Sequence, residues 1–206
     1  AYIDAKQELF SAFIEDCKIM QSMSNNNPDE VIRFIMSLLR PNVDSRIFEI
    51  VSFAILKAYY NEKSIFWGWE IESIKEDRLV LFKTGRTNAN DGGIVYVMRP
   101  LGRFFQVTES LDLRKYFLDI DKVQKYPITF VVKTNMSIDE VLEMIEENAK
   151  EYYPITAIVK RYMSCIEEII NIPILRNRLI EIAETGNIDL VMEEIIRHSR
   201  IEFDLI

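Results

Sequence analysis

One carboxylate in this chain stands where a charge is hard to keep. Glu49 lies in a run, residues 47–58, that is otherwise apolar on nearly every side. A buried carboxylate is costly unless it is paired with a cation or bound to a metal ion. The helical spacing offers Arg46, three residues earlier, as an ion-pair partner. Glu49 is therefore either a metal ligand or one half of a structural ion pair.

A second group of polar side chains follows a glycine turn. Residues 90–97 read Asn-Asp-Gly-Gly-Ile-Val-Tyr-Val, and residues 104–109 read Phe-Phe-Gln-Val-Thr-Glu. Both segments predict short strands, and the period of two along the second strand directs Gln106 and Thr108 to one face of it. The amide oxygen of Gln106 could contact a metal such as Mg²⁺, which prefers hard oxygen ligands. Alternatively, Gln106 is a polar strand residue that hydrogen-bonds to a neighbouring backbone group.

These strands resemble the core motif of the PD-(D/E)xK nucleases, particularly the type II restriction endonucleases and their Mrr-like relatives. In that motif, Gly-Gly-Ile-Asp lies on one strand, Gln-x-Lys or Glu-x-Lys lies on the next, and a Glu lies on the preceding helix. The resemblance implies that Glu49 is the helix Glu and that Gln106 is the Gln of the second strand. It covers residues 46–134, which is under half of the chain.

Two positions depart from that motif. Val95 stands where the family has its metal-binding Asp, and Thr108 stands where it has its Lys. A Val side chain has no lone pair, so we expect Mg²⁺ binding to be severely weakened. Asp91 replaces the missing ligand only if its loop folds inward, and as an Asp before Gly92 it is also an ordinary turn residue. Either the protein is a naturally inactive relative, or this copy has lost the Asp through a single-base change.

Basic and polar side chains around the glycine turn are candidates for DNA contact. Arg and Asn can hydrogen-bond to the edges of guanine and adenine, and the loop candidates are Arg86, Asn88 and Asn90. Lys83 and Arg103 are further candidates and could replace the missing Lys, although Arg103 has the opposite strand parity to Gln106. Glu109 shares that parity and is expected outside the cavity. The loop is equally consistent with an ordinary solvated connection.

The composition is that of a globular protein. Its 206 residues suit one domain, and 49% hydrophobic residues with six Gly and six Pro argue against long disorder. The net charge of −8 is unfavourable for binding DNA, yet residues 83–115 carry six basic residues against three acidic ones. No apolar run predicts a membrane span and no signal peptide opens the sequence, so a cytoplasmic location is expected.

Other common sites are not indicated. Cys17 and Cys165 lie far apart on helical patterns and are expected to be buried thiols in a reducing compartment. The single His198 has no Cys or His cluster beside it, which argues against zinc. A Walker-type phosphate loop is missing, so no nucleotide cofactor is expected.

The elements that would position these residues follow from periodicity and from turn and cap residues. Helices are predicted over 3–23, 28–39 and 44–60, a strand-rich region with a turn at 76–77 over 64–108, a helix over 113–123 and a buried strand over 127–133. Ser137 and Glu140 form a capping box that opens an acidic helix, and the chain after Pro154 is expected to be helical to its end.

The sequence therefore predicts a single mixed α/β domain with a restriction-endonuclease-like core. N-terminal helices occupy residues 1–43, the core with a central mixed sheet flanked by helices occupies 44–134, and a helical part occupies 135–206. The resemblance implies sequence-specific, Mg²⁺-dependent hydrolysis of double-stranded DNA by a homodimer. Two alternatives remain: an inactive DNA-binding module of the same fold, and a helical protein-interaction protein in which Glu49 pairs with Arg46.

Overall fold

A computed structural model of the chain describes residues 2–85, 95–109 and 113–204, with the side chains of residues 2–7 and of Leu113 left out. Over these ranges the protein is mixed α/β, with eight α-helices, a five-stranded mixed sheet and a separate two-stranded sheet. Within the same ranges, no helix is both long and apolar enough to cross a membrane.

The helices and strands alternate along the chain. The helices are α1 (Tyr2–Met23), α2 (Pro28–Ser37), α3 (Ser45–Asn61), α4 (Leu113–Lys122), α5 (Ile138–Tyr152), α6 (Thr156–Met163), α7 (Ile172–Glu184) and α8 (Ile188–Glu202). The strands are β1 (Ser64–Trp67), β2 (Lys75–Arg78), β3 (Val80–Lys83), β4 (Tyr96–Arg99), β5 (Arg103–Thr108), β6 (Ile128–Val132) and β7 (Ile166–Ile170). A short 3₁₀ helix, Ile71–Ser73, lies between β1 and β2.

The five-stranded sheet has the order β3-β4-β5-β6-β7. Strands β3, β4 and β5 form an antiparallel meander, whereas β6 runs parallel to β5 and β7 runs parallel to β6. The parallel step from β5 to β6 needs a crossover, and α4 supplies it. The predicted helix bearing a Glu, three antiparallel strands, a helix and a further strand occur in this order, with β1 and β2 as an additional pair between α3 and β3.

Two hydrophobic clusters cover the two faces of this sheet. One contains α3, α7 and α8 together with Tyr96, Phe105 and Val131. The other contains residues of α4, α5 and α6 with Phe130 and Val132. Because successive strand residues point to opposite faces, odd-numbered residues of β5 and β6 face α3 and even-numbered residues face α4. We call these the α3 face and the α4 face.

The prediction of an entirely helical C-terminal part is wrong, because β7 joins the sheet within it. Its sequence Ile-Glu-Glu-Ile-Ile looks like an acidic helix, but its β-branched residues pair with the wholly buried strand β6. The glutamates are held by arginines from β5 and α7. Residues 76–77, predicted as a turn, lie inside β2.

Local cap signals are confirmed where they depend on neighbouring residues alone. Ser137 and Glu140 form the reciprocal capping box at the start of α5. Pro28 occupies the first turn of α2. Helix α7 ends just before Gly186, whose φ of +78° is the left-handed conformation that favours glycine.

Candidate functional site

Glu49 lies on the side of α3 that packs against the sheet. The helix is apolar around most of its circumference, and Glu49 is only 6% exposed within it. Its Oε1 atom lies 2.9 Å from Nζ of Lys83, at the end of β3, and both side chains are almost fully buried. Arg46 pairs instead with the N-cap residue Asp44, at 3.2 Å. The expected Glu49–Arg46 ion pair is therefore corrected to a pair between Glu49 and Lys83.

A buried hydroxyl pair attaches strand β4 to the turn of α3 that carries Glu49. The Tyr96 hydroxyl donates to the Glu49 carbonyl oxygen at 2.7 Å, and Ser52 Oγ donates to the same carbonyl at 3.0 Å. Burial raises the pKa of Tyr96 well above its usual value, and the nearby Glu49 charge raises it further. Tyr96 therefore remains a neutral hydrogen-bond donor at physiological pH.

Val95 lies on the α3 face because of an irregularity at the start of β4. The register pairs Tyr96 with Phe105, yet the Val95 amide also donates to the Phe105 carbonyl at 2.9 Å. Neighbouring strand residues normally point to opposite faces, and this extra hydrogen bond marks a departure from the regular ladder just before β4. The Val95 side chain packs against the same hydrophobic cluster as Tyr96. An acidic side chain at position 95 would accordingly point towards α3, the helix that carries Glu49.

A second ion pair lies where β5 and β6 end. Lys133 Nζ is 3.3 Å from Glu109 Oε1 and 5.9 Å from the centre of the Phe48 ring, and it also donates to the Val43 carbonyl. The Lys133 side chain is buried, whereas Glu109 is about half exposed. The contacts of Lys133 with Val43, just before α3, and with Phe48, in the first turn of α3, place this pair on the α3 face. Glu109 does have the opposite parity to Gln106, but that parity directs it towards the face that carries Glu49.

The α3 face thus carries two separate ion pairs, Glu49–Lys83 and Glu109–Lys133. The register places Lys83 level with Thr129, which lies three strands away on β6 and four residues before Lys133. We call these four residues of the two ion pairs together the α3-face cluster. It combines two carboxylates with two ammonium groups, three of the four side chains being nearly buried. Lysine ammonium groups in such surroundings can bind phosphate oxygens, and carboxylates can accept protons or hold cations. The sequence analysis did not identify Lys133, although a Lys that directly follows a wholly apolar strand was a usable signal.

The described part of the chain does not by itself form a Mg²⁺ site. Within it there is no group of three His, Cys, Asp or Glu residues able to hold a metal ion. The two carboxylates of the α3-face cluster each lie beside a Lys, and Val95 offers no oxygen atom.

Gln106 and Thr108 lie on the α4 face, as their register with Phe130 and Val132 shows. The Gln106 amide hydrogen-bonds to the carboxylate of Asp119 on α4, and its Oε1 atom is buried with no hydrogen-bond partner among the described residues. Burial raises the pKa of Asp119, although Lys122, 3.1 Å away, opposes this. The sheet separates this pair of residues from Glu49, so the structure does not bring together the predicted ligands Gln106 and Glu49.

Arg103 lies on the α3 face but at the other end of β5, where it is held within the chain. Its guanidinium group bonds to Thr129 Oγ1 at 2.9 Å, to Glu168 at 2.5 Å and to Glu167 at 3.2 Å. Arg178 of α7 contacts the same Glu168 at 2.8 Å. The arrangement is a structural ion network between β5, β7 and α7, which does not favour the predicted role of Arg103 in DNA contact.

The remaining predicted residues lie outside the described part of the chain: Arg86, Asn88, Asn90 and Asp91. Their segment connects Gly85, just after Lys83, with Val95, so its two ends adjoin two positions of interest on the α3 face.

Comparison with known proteins finds no family model, no curated protein and no solved structure that matches this chain. The functional proposal accordingly depends on the topology and on the α3-face cluster.

Proposed function

We propose that this chain has a PD-(D/E)xK-like core and is a sequence-specific endonuclease for double-stranded DNA, with cleavage impaired by Val95. One observation carries the proposal: after α3, with its buried Glu49, and the separate β1–β2 pair come three antiparallel strands, the crossover helix α4 and a parallel strand. This is the element order that the sequence motif predicted.

The α3-face cluster supports the same function by its chemistry. Hydrolysis of a phosphodiester requires groups that position the phosphate and stabilise its developing negative charge. Lys83 and Lys133 offer ammonium groups for that purpose on the face where Glu49 lies. Val95 packs against the hydrophobic cluster on this face as well. Asp in place of Val95 would add the carboxylate that the family motif requires.

The proposed cofactor is Mg²⁺ and the proposed partner is a DNA duplex, bound by a homodimer in the cytoplasm. The net charge of −8 opposes general attraction to DNA. Contact with the duplex must therefore come from a local basic surface, and the predicted loop residues follow Lys83 in the sequence. We expect DNA affinity to fall steeply as the salt concentration rises.

A DNA-binding protein of the same fold without cleavage is the second candidate. The specific observation in its favour is that position 95 is a hydrocarbon side chain packed into the core. In addition, both carboxylates of the α3-face cluster are engaged by lysines. This arrangement can bind a phosphate without activating a nucleophile.

The test is plasmid cleavage by the chain as it stands, by Val95→Asp and by two matched controls. Val95→Asn has nearly the shape of Asp but no charge. Val97→Asp introduces the same carboxylate two residues further along β4, where the chain pairs with Phe82 and Phe104. Each protein is assayed with Mg²⁺ and with Mn²⁺, and duplex binding is measured separately with Ca²⁺.

Discrete fragments produced by Val95→Asp and by neither control would support the endonuclease and the role of position 95. Duplex binding by all folded forms without cleavage would support the second candidate. Neither cleavage nor duplex binding by any folded form would contradict both proposals.

A further inference from the structure

The two strands β1 and β2 form an arm that carries unusually exposed apolar side chains. We call residues 64–78 the β1–β2 arm. Four of its large side chains are exposed to solvent: Phe66 by 73%, Trp69 by 91%, Ile71 by 83% and Ile74 by 53%. Single exposed apolar residues are ordinary, but a group of this size within nine residues marks an interaction site.

The tip of the arm is an ordered structure that holds these side chains outwards. Ser73 Oγ donates to the Glu70 carbonyl at 2.9 Å and accepts from the Glu70 amide at 3.0 Å. A side chain at Gly68 would lie 2.7 Å from the Ser73 backbone, so the chain can make this close approach only with glycine. Trp67 is held by Asp77, at 3.4 Å, and by Lys75 over its ring. The Trp69 ring lies edge-on to Trp67 at 6.5 Å, and both Trp69 and Ile71 remain almost fully exposed.

The charge of the arm argues against a nucleic-acid partner. Residues 64–78 include four acidic side chains and two basic ones. A surface that inserts apolar side chains into DNA normally has basic residues around them, because phosphates surround the site of insertion. The arm instead has an apolar surface with a small net negative charge, which suits another protein surface.

The exposed area matches what a symmetric dimer requires. Aromatic side chains bury roughly 150–250 Å² each, so Phe66 and Trp69 from two arms supply about 600–1,000 Å². Ile71 and Ile74 add to this, which brings the total towards the ~1,200–2,000 Å² of a standard specific interface. An apolar patch is complementary to its own copy, as a two-fold contact demands. An isolated two-stranded hairpin is also marginally stable, and a partner would cover it.

We propose that the β1–β2 arm is the surface through which two copies of this chain associate, with Trp69 and Ile71 at the centre of the contact. The proposal rests on the exposure, order and charge of the arm, and it does not depend on the proposed nuclease function.

The experiment measures the mass of the 206-residue chain by light scattering and sedimentation from nanomolar to high micromolar concentration. The test variant is Trp69→Ser with Ile71→Ser. The control is Leu118→Ser with Ile155→Ser, which removes two exposed apolar side chains elsewhere. Since the chain has two Trp, Trp67→Phe leaves Trp69 as the sole fluorescent reporter. Circular dichroism establishes that each variant is folded.

We expect a mass twice the 24.3 kDa of one chain for the parent and the control, and 24.3 kDa for the folded test variant. Trp69 emission should shift to shorter wavelength over the concentration range in which the mass doubles. A parent that stays at 24.3 kDa at every concentration would overturn the proposal. A dimer that persists in the test variant would overturn it too. A shift of Trp69 emission that occurs only when duplex DNA is added would also overturn the proposal. That result would leave the nuclease function open.

Discussion

The carboxylate of Glu49 and the ammonium group of Lys83 meet at 2.9 Å between helix α3 and strand β3, with both side chains nearly excluded from solvent. This pair connects the helix that covers the sheet to the strand that leads into the predicted DNA-contacting loop. Because each charge is expensive to bury alone, the two residues hold these elements in a defined relation. The pair also marks the face on which Val95 and Lys133 lie.

Removing one charge of this pair should destabilise the fold. We expect Lys83→Met to lower the free energy of unfolding by about 3–5 kcal/mol, because it removes the Lys83 ammonium group from beside the buried Glu49 carboxylate. Urea denaturation measures the change. The control is Lys150→Met, which removes an exposed pair with Glu146 and should cost less than about 1 kcal/mol. Adding Glu49→Leu to Lys83→Met should restore much of the lost stability. Equally small losses in Lys83→Met and Lys150→Met would contradict a stabilising buried pair.

The hydroxyl of Tyr96 should contribute to stability through the Glu49 carbonyl. Tyr96→Phe removes the buried hydroxyl that donates to the Glu49 carbonyl, whereas the Ser52 hydroxyl still donates to it. We expect a loss of about 1–3 kcal/mol in the free energy of unfolding, measured by urea denaturation. Tyr126→Phe, at an exposed ring, is the matched control and should change stability little. A Tyr96→Phe variant as stable as the parent would show that water replaces the hydroxyl.

Acid should destabilise the protein partly through Glu194. Burial opposes its ionisation, but hydrogen bonds from His198 and Lys57 and the charges of Lys57 and Arg197 bring its pKa down from 4.5 to about 2. The folded protein thus binds a proton at Glu194 less readily than the unfolded chain does. This stabilisation is complete above pH 4.5 and is lost as the pH falls towards 2.

Glu194→Gln should therefore reduce the free energy of unfolding at neutral pH and flatten its decline between pH 4.5 and 2. Glu193→Gln, at the exposed neighbouring position, should leave that decline unchanged. Thermal unfolding followed across this range separates the two variants. If the stability of Glu194→Gln and that of the parent decline in parallel as the pH falls, the ion pairs of Glu194 with Lys57 and Arg197 are not formed in solution.

Arg103 should act on stability rather than on DNA affinity. Arg103→Gln removes the arginine that contacts Glu167 and one of the two arginines that contact Glu168, and we expect it to cost about 2–4 kcal/mol because these glutamates are partly buried. The slope of DNA affinity against salt concentration should be the same for Arg103→Gln as for Arg161→Gln, a substitution at an exposed position on α6. A slope lowered by about one unit in Arg103→Gln alone would instead indicate a phosphate contact.

Local patterns in the sequence predicted most of the elements correctly. The apolar run around Glu49 became α3, the run before Lys133 became β6, and the Ser137–Glu140 box opens α5. Strand β7 could not be recognised, since its glutamates are satisfied only by arginines that the fold brings from β5 and α7. The arm was also missed in part, because residues 76–77 carry turn-like charges yet pair with β1.

The sequence by itself determined the order of the elements up to α5, the parity of Gln106 and Thr108, and the unusual burial of Glu49, because periodicity and caps act over a few residues. Only the tertiary structure decided which face of the sheet α3 covers, and hence that Glu49 lies with Lys83, Val95 and Lys133 rather than with Gln106. Parity states that two side chains share a face or lie on opposite faces. It cannot state which helix packs on that face, since packing depends on contacts between segments far apart in the chain.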